Sequence, residues 1–154
     1  DRALESLANT IGDQLNRMDE VERRSVWDAW LKRYLDLRIV GIPIALTTSE
    51  TKHMLEWCLH LGAVFPEAVE RIVQMPQKAV SAFGILKDLS ESPLVDEFPL
   101  AACRLAVVAM RAEEYPALHD SLNKLHQRFK LKIHKEAIFS EYEELLYLRD
   151  WKKA

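Results

Sequence analysis

Residues 26–35 of the chain read VWDAWLKRYL, and this stretch decides the fold. Its large apolar residues recur every third or fourth position, as they do along one face of an α-helix. Five of them form the stripe: Trp27, Trp30, Leu31, Tyr34 and Leu35. Because two indole rings and a phenol bury a large apolar area, we expect this whole stripe to face the core.

The same helical periodicity recurs about eight times along the chain. Several helix ends carry recognisable signals: Asp19 with Glu22 forms a capping box, and Gly62 suits a left-handed helix end. Three prolines occupy predicted first helical positions: Pro66, Pro99 and Pro116. These signals predict an all-α domain of about eight helices packed as antiparallel hairpins, either as a short α-solenoid-like array or as an irregular bundle.

A short internal similarity accompanies two of these helix starts. The pattern Phe65-Pro66-x-Ala68 returns 33 residues later as Phe98-Pro99-x-Ala101. A period in the thirties is typical of two-helix repeat units. An aromatic residue before proline is also a common way to begin any helix, so a true repeat and a chance similarity both remain open.

Composition limits the chemistry that is available. The chain has 154 residues and only 4 glycines, about 2.6% against a usual share of roughly 7%. So few glycines argue against a glycine-rich phosphate loop, and no Gly-x-Ser-x-Gly elbow is present. We therefore predict no cofactor, no catalytic residue and no enzymatic activity.

Charge and cysteine content indicate the compartment. The net charge of −3 gives the domain no overall affinity for nucleic acid or anionic membranes, and no apolar run approaches a membrane span. Cys58 and Cys103 both lie in apolar helical patterns, which predicts free buried thiols in a reducing cytoplasm. Since the chain begins at Asp1 rather than Met, we expect residues 1–154 to be a single domain of a longer polypeptide.

A metal site belongs to the second alternative function, a small enzyme or metal protein. His53, Glu56 and His60 share one face of a predicted helix. Two histidines that bind one zinc ion from a helix are four residues apart, whereas these are seven apart, about 10.5 Å along the axis. We therefore predict no metal ligand here. A small enzyme or metal protein whose site assembles from distant residues, His53 and His60 among them, stays as an alternative.

The leading alternative function is nucleic-acid contact by the basic segment 124–135. Its candidate residues are Lys124, Arg128, Lys130 and Lys132. Basic residues with an aromatic ring among them can bind a phosphate backbone, and Phe129 lies inside this segment. The next helix carries several glutamates that could neutralise the segment: Glu136, Glu141, Glu143 and Glu144. We expect a solvated face neutralised within the domain.

An apolar stretch, VGIPIAL at residues 40–46, connects two predicted helices. It either covers the core or offers a surface to a partner, and loops over a bundle commonly cover its end. We favour the first of these.

Four segments together resemble a bacterial helical domain of unknown function. They are VWDAWLxxY at residues 26–34, RxxGxP at 38–43, MLEW at 54–57 and FPEAV at 65–69. In that family the domain lies toward the C-terminus of large proteins, often behind a sirtuin-like domain, and a role in anti-phage defence is implied. The resemblance implies no catalytic residue in this chain. It implies a non-catalytic interaction, sensing or regulatory module that contacts other domains of its parent chain or a protein partner.

Overall fold

The structure, a computed structural model, describes residues 2–39, 53, 55–74, 85–112 and 119–153. These residues form helices and turns without any strand, which confirms the predicted all-α class. In the same part of the chain, no helix combines the length and apolarity needed to cross a membrane. Two compact units are present, residues 1–81 and residues 82–154. That the chain is a single domain of a larger protein stays a prediction.

In the described part of unit 1 (residues 1–81), four α-helices and one π-helical turn have defined bounds. The helices are α1 (Arg2–Arg17), α2 (Glu20–Val26), α3 (Lys32–Ile39) and α4 (Phe65–Ile72). Trp27–Leu31 forms the π-helical turn that joins α2 to α3, residues 55–58 are helical, and Gly62–Val64 is a short 3-10 turn before α4. The predicted start of α2 is confirmed, because an Asp19 side-chain oxygen accepts the Glu22 backbone N–H at 2.8 Å.

The turn before α4 requires the glycine at position 62. Gly62 has a φ of +57°, the left-handed region that its predicted role demanded. The Glu20 carboxylate also occupies the space that a Cβ atom at this position would need. One oxygen of that carboxylate accepts the Ala63 backbone N–H at 3.1 Å, so α2 and the turn are joined at this point.

The central stripe is buried only in part. Trp27, Leu31 and Leu35 are at most 4% exposed, but Trp30 is 44% exposed, so the prediction that Trp30 is buried was wrong. The Lys32 N–H bonds to the Trp27 carbonyl, five residues back, which makes this turn one residue wider than an α-helical turn. The extra residue rotates Trp30 off the buried stripe while Trp27 and Leu31 stay on it.

Unit 2 (residues 82–154) contains five described helices. They are α5 (Ile85–Ser90), α6 (Leu94–Glu97), α7 (Pro99–Ala112), α8 (His119–Ile133) and α9 (Ala137–Lys153). Pro99 begins α7 as predicted, whereas the short helix α6 was not predicted. The proline at position 116 and the apolar stretch 40–46 lie outside the described residues.

The core of unit 2 forms where α7, α8 and α9 pack on one another. Tyr142 of α9 is fully buried, and its hydroxyl donates a hydrogen bond of 2.6 Å to the Leu122 carbonyl of α8. The ring of Phe129 meets Tyr142 edge to face, with 5.3 Å between ring centroids. The Tyr142 hydrogen bond helps to fix the position of α9 on α8 inside a largely apolar core.

We expect Tyr142→Phe to lower the free energy of unfolding by about 1 kcal/mol, because it removes one buried hydrogen bond without changing side-chain volume. Urea denaturation followed by circular dichroism measures the effect. Tyr147→Phe is the matched control, since Tyr147 lies on the same helix but is 65% exposed. Equal losses in the two variants would contradict a stabilising role for the Tyr142 hydroxyl.

Candidate interaction surface

Three aromatic side chains of unit 1 meet beside the π-helical turn. Trp30 stacks on Tyr34, with 6.3 Å between ring centroids and 28° between ring planes. Trp57 lies 6.3 Å from Trp30 and 6.2 Å from Tyr34, so the three centroids form a nearly equilateral triangle. Trp30 therefore packs against two neighbouring rings although 44% of its surface is exposed.

Two further residues extend this cluster along α3. Leu37, seven residues after Trp30, is 57% exposed and lies on the same side of the helix. Arg33, three residues after Trp30, is also exposed on that side. We call this the aromatic surface: Trp30, Arg33, Tyr34, Leu37 and Trp57. Tryptophan, tyrosine and arginine are the residue types most enriched at the energetic centres of protein interfaces.

Helix α4 holds the π-helical turn through Glu67. One oxygen of the Glu67 carboxylate accepts the Trp27 indole N–H at 3.0 Å, and the other accepts from the Arg24 guanidinium at 2.6 Å. The Arg24 guanidinium holds the pKa of the Glu67 carboxyl below its ordinary value, with the Trp27 hydrogen bond acting in the same direction. Glu67 is therefore a carboxylate at neutral pH. It accepts a hydrogen bond from the indole N–H of Trp27, a side chain that is otherwise fully buried.

Arg71, one turn further along α4, completes this attachment. Its guanidinium lies 5.2 Å from the Trp27 ring centroid, within range of a cation–π interaction. The same group bonds to the Asp36 carboxylate of α3 at 3.0 Å. Helix α4 thus contacts the chain both before and after the π-helical turn. These contacts fix the position of the turn that carries Trp30.

The four basic residues predicted to contact nucleic acid lie in two different environments. Lys124, Lys130 and Lys132 are exposed on α8. Arg128 instead binds the turn between α5 and α6, where its guanidinium donates to the carbonyls of Ser90 at 2.7 Å and Ser92 at 2.8 Å. Nucleic-acid contact by these residues stays a prediction, and Arg128 is occupied by contacts within unit 2.

Arg128 also forms an ion pair with Asp96 of α6, at 3.0 Å. The Arg128 guanidinium lowers the pKa of the Asp96 carboxyl, with a smaller contribution from Lys132. The arginine therefore holds the end of α5 and the short helix α6 together, which is a structural role.

The histidines that were considered as metal ligands do not converge on one point. His53 Nδ1 lies 3.5 Å from a carboxylate oxygen of Glu56, one turn away. His60 follows in the turn after the helical residues 55–58. Across the described ranges, no three histidine, cysteine, aspartate or glutamate side chains lie close enough together to hold a metal ion.

Both cysteines are free and buried, as predicted. Burial raises the pKa of the Cys58 thiol and of the Cys103 thiol to about 12. At neutral pH both are protonated, and a protonated thiol is a poor nucleophile. Their chemistry in this fold is that of small core side chains.

Comparison with known families gives one match. Residues 7–88 match a family described as a domain of unknown function (DUF4020), and this stretch covers just over half of the chain and all of the aromatic surface. Neither the curated proteins nor the solved structures include a significant match to the chain.

Two substitutions separate the two contacts of Glu67. We expect Glu67→Ala to lower the free energy of unfolding by about 1–3 kcal/mol, because the buried Trp27 N–H loses its acceptor. Glu67→Gln keeps an amide oxygen for that N–H and loses only a half-exposed ion pair, so a loss of roughly 1 kcal/mol or less is expected. Denaturant titrations measure both, and a loss in Glu67→Gln as large as that in Glu67→Ala would contradict this assignment.

The wild type and the Glu67→Gln variant also give a pH test. Because the folded-state pKa of Glu67 is lowered from its ordinary value of 4.5, its contribution is complete above that value and is lost as the pH falls through the lower folded-state value. The stability difference between the wild type and Glu67→Gln should therefore disappear on acidification. A difference that persists well below pH 4 would show that the charge of Glu67 is not its source.

Proposed function

The chain belongs to the family of a domain of unknown function (DUF4020), and we propose that it serves as a non-catalytic interaction module that binds a protein partner through the aromatic surface. The observation that carries the proposal is Trp30, an indole that is 44% exposed although neighbouring rings hold it in place.

Exposure of Trp30 has a cost that a partner would remove. Burial of apolar surface is favourable by about 25 cal/mol for each Å² removed from water, and apolar surface that stays exposed lacks this stabilisation. Trp30 and Leu37 both retain a large exposed fraction on one side of the same helical segment. Covering them with an apolar partner surface recovers that free energy, and Arg33 at the edge supplies hydrogen-bond donors for the rim of the interface.

Preorganisation favours the same surface. A binding residue that is already fixed loses little conformational entropy when its partner arrives. The contacts of Trp30 with Tyr34 and Trp57 fix the ring, and the attachment of Trp27 to Glu67 fixes the backbone beneath it. Isolated π-helical turns inside α-helices are also found frequently at functional sites.

The wider setting is part of the proposal. The resemblance of residues 26–69 to the bacterial domain described above supports placing this module in a larger bacterial protein, beside an effector domain that acts in anti-phage defence. There the aromatic surface would carry out sensing, regulation or assembly. A cytoplasmic location fits the two free buried thiols, because reduced cysteines persist in that compartment.

Site-specific crosslinking tests the proposal in the full-length parent protein inside its own cells. A photoreactive amino acid replaces Trp30 in one variant and Leu37 in another, and mass spectrometry identifies what is captured. We expect both positions to capture the same protein. The control position is Val21 on α2, which is apolar and 76% exposed but lies outside the aromatic surface. Equal capture at all three positions, or none at Trp30, would overturn the proposal.

The captured protein then gives a quantitative test. Trp30→Ala should weaken its binding by about 30-fold or more, which corresponds to the roughly 2 kcal/mol expected for an interface centre. Because Trp30 is not part of the buried stripe, the thermal midpoint of the variant should fall far less than that of Trp27→Ala. A binding loss accompanied by global unfolding would count against a direct contact.

A further inference from the structure

A second surface of unit 2 combines positive charge with one exposed apolar side chain. Leu131 is 83% exposed, the largest fraction among the large apolar residues in the described part of the chain. Lys130 and Lys132 lie next to it in the chain, each about 100° around the helix to one side or the other, and Lys124 lies on the same side of α8 as Leu131, two turns or about 10.5 Å before it. We call these four residues the lysine face.

Two of the four carboxylates expected to neutralise this segment have other partners, whereas Glu136 and Glu144 are exposed. Glu143 lies 3.0 Å from His126 Nε2, and Glu141 pairs with Arg111 of α7. Lys132 makes a small contribution to lowering the pKa of the Asp96 carboxyl, but the carboxylate oxygens of Asp96 bond to Arg128. Among the described residues, no carboxylate forms an ion pair with Lys124, Lys130 or Lys132.

The helix dipole accounts for only part of this arrangement. Cations near a helix C-terminus stabilise it, which is a sufficient reason for Lys130 and Lys132 in the last turns of α8. It gives no reason for an almost fully exposed leucine between them, nor for Lys124 near the middle of the helix.

We propose that the lysine face binds an acidic segment of a protein partner that also carries an apolar side chain. The carboxylates of such a segment complement the three ammonium groups, and its apolar side chain covers Leu131. Opposite charges accelerate the encounter and fix its register, while burial of Leu131 adds affinity. This surface belongs to unit 2 and is independent of the aromatic surface, so either proposal can fail without the other.

A nucleic-acid backbone fits the same surface less well. Phosphates use cations but gain nothing from an exposed leucine, and the guanidinium best suited to bind phosphate, that of Arg128, is held by Ser90, Ser92 and Asp96. An acidic apolar segment uses all four residues of the lysine face.

Fluorescence anisotropy with four probes distinguishes the possible ligands. They are a labelled peptide of alternating Glu and Leu, a poly-Glu peptide of equal charge, a single-stranded DNA of equal charge, and vesicles containing phosphatidylglycerol. We expect the Glu-Leu peptide to bind most tightly, with an affinity that falls as salt is raised. Stronger binding of the DNA or the vesicles, equal binding of poly-Glu, or no binding of the Glu-Leu peptide at low salt would each overturn the proposal.

Substitutions locate the binding on the lysine face. Leu131→Ser should weaken binding of the Glu-Leu peptide about tenfold while leaving poly-Glu binding unchanged, because only the apolar contact is lost. The combined variant Lys124→Glu/Lys130→Glu/Lys132→Glu should abolish binding of both peptides. Lys87→Glu is the matched control, since Lys87 is an exposed lysine of unit 2 on helix α5. A loss in the control as large as that in the combined variant would show that net charge alone governs binding.

Discussion

The hydrogen bond from the Trp27 indole to Glu67 is the contact on which unit 1 depends most. A fully buried indole N–H without an acceptor destabilises a fold, so the largest buried side chain of the unit requires a polar partner in a fixed place. Glu67 is that partner through one carboxylate oxygen, while Arg24 binds the other oxygen and lowers the pKa of the carboxyl. A surface carboxylate thereby determines where a core side chain lies, and α4 is tied to the turn that carries both tryptophans.

The two tryptophans of VWDAWL consequently have opposite roles. Periodicity correctly predicted the helix, its start at Asp19 and the burial of Trp27, Leu31 and Leu35, since these follow from local spacing. It could not predict the exposure of Trp30, because the spacing rule assumes about 3.6 residues per turn throughout. The wider turn is evident in the structure, where the Lys32 N–H bonds to the Trp27 carbonyl.

In unit 2 the limits of sequence reasoning have a different cause. The segment 124–135 was correctly recognised as basic and its lysines are exposed, but Phe129, which was expected to lie among the charges, is fully buried. Counting charges also treats Arg128 and the lysines as equivalent. Arg128 contacts Ser90, 38 residues earlier in the chain, and Glu141 pairs with Arg111, 30 residues earlier. Such pairings depend on how the helices pack, which no local pattern specifies. The short helix α6 was missed for the same reason, since Arg128 is one of the contacts that hold it.

Arginine and lysine divide the positive charge of the described chain in a consistent way. Arg71 and Arg128 each bind two or more groups from within their own unit and Arg24 binds Glu67, whereas the lysines of α8 are exposed to solvent. The planar guanidinium can bond to several acceptors at fixed angles, while an ammonium on a long flexible stem is strongly hydrated and orders poorly. The arginines are therefore part of the frame that positions Trp30 and Leu131, and the cations left for a partner at α8 are lysines. Recognition of an anionic partner there should accordingly be fast and sensitive to salt. Because charge alone gives only weak binding, specificity must come from the apolar residue among the charges.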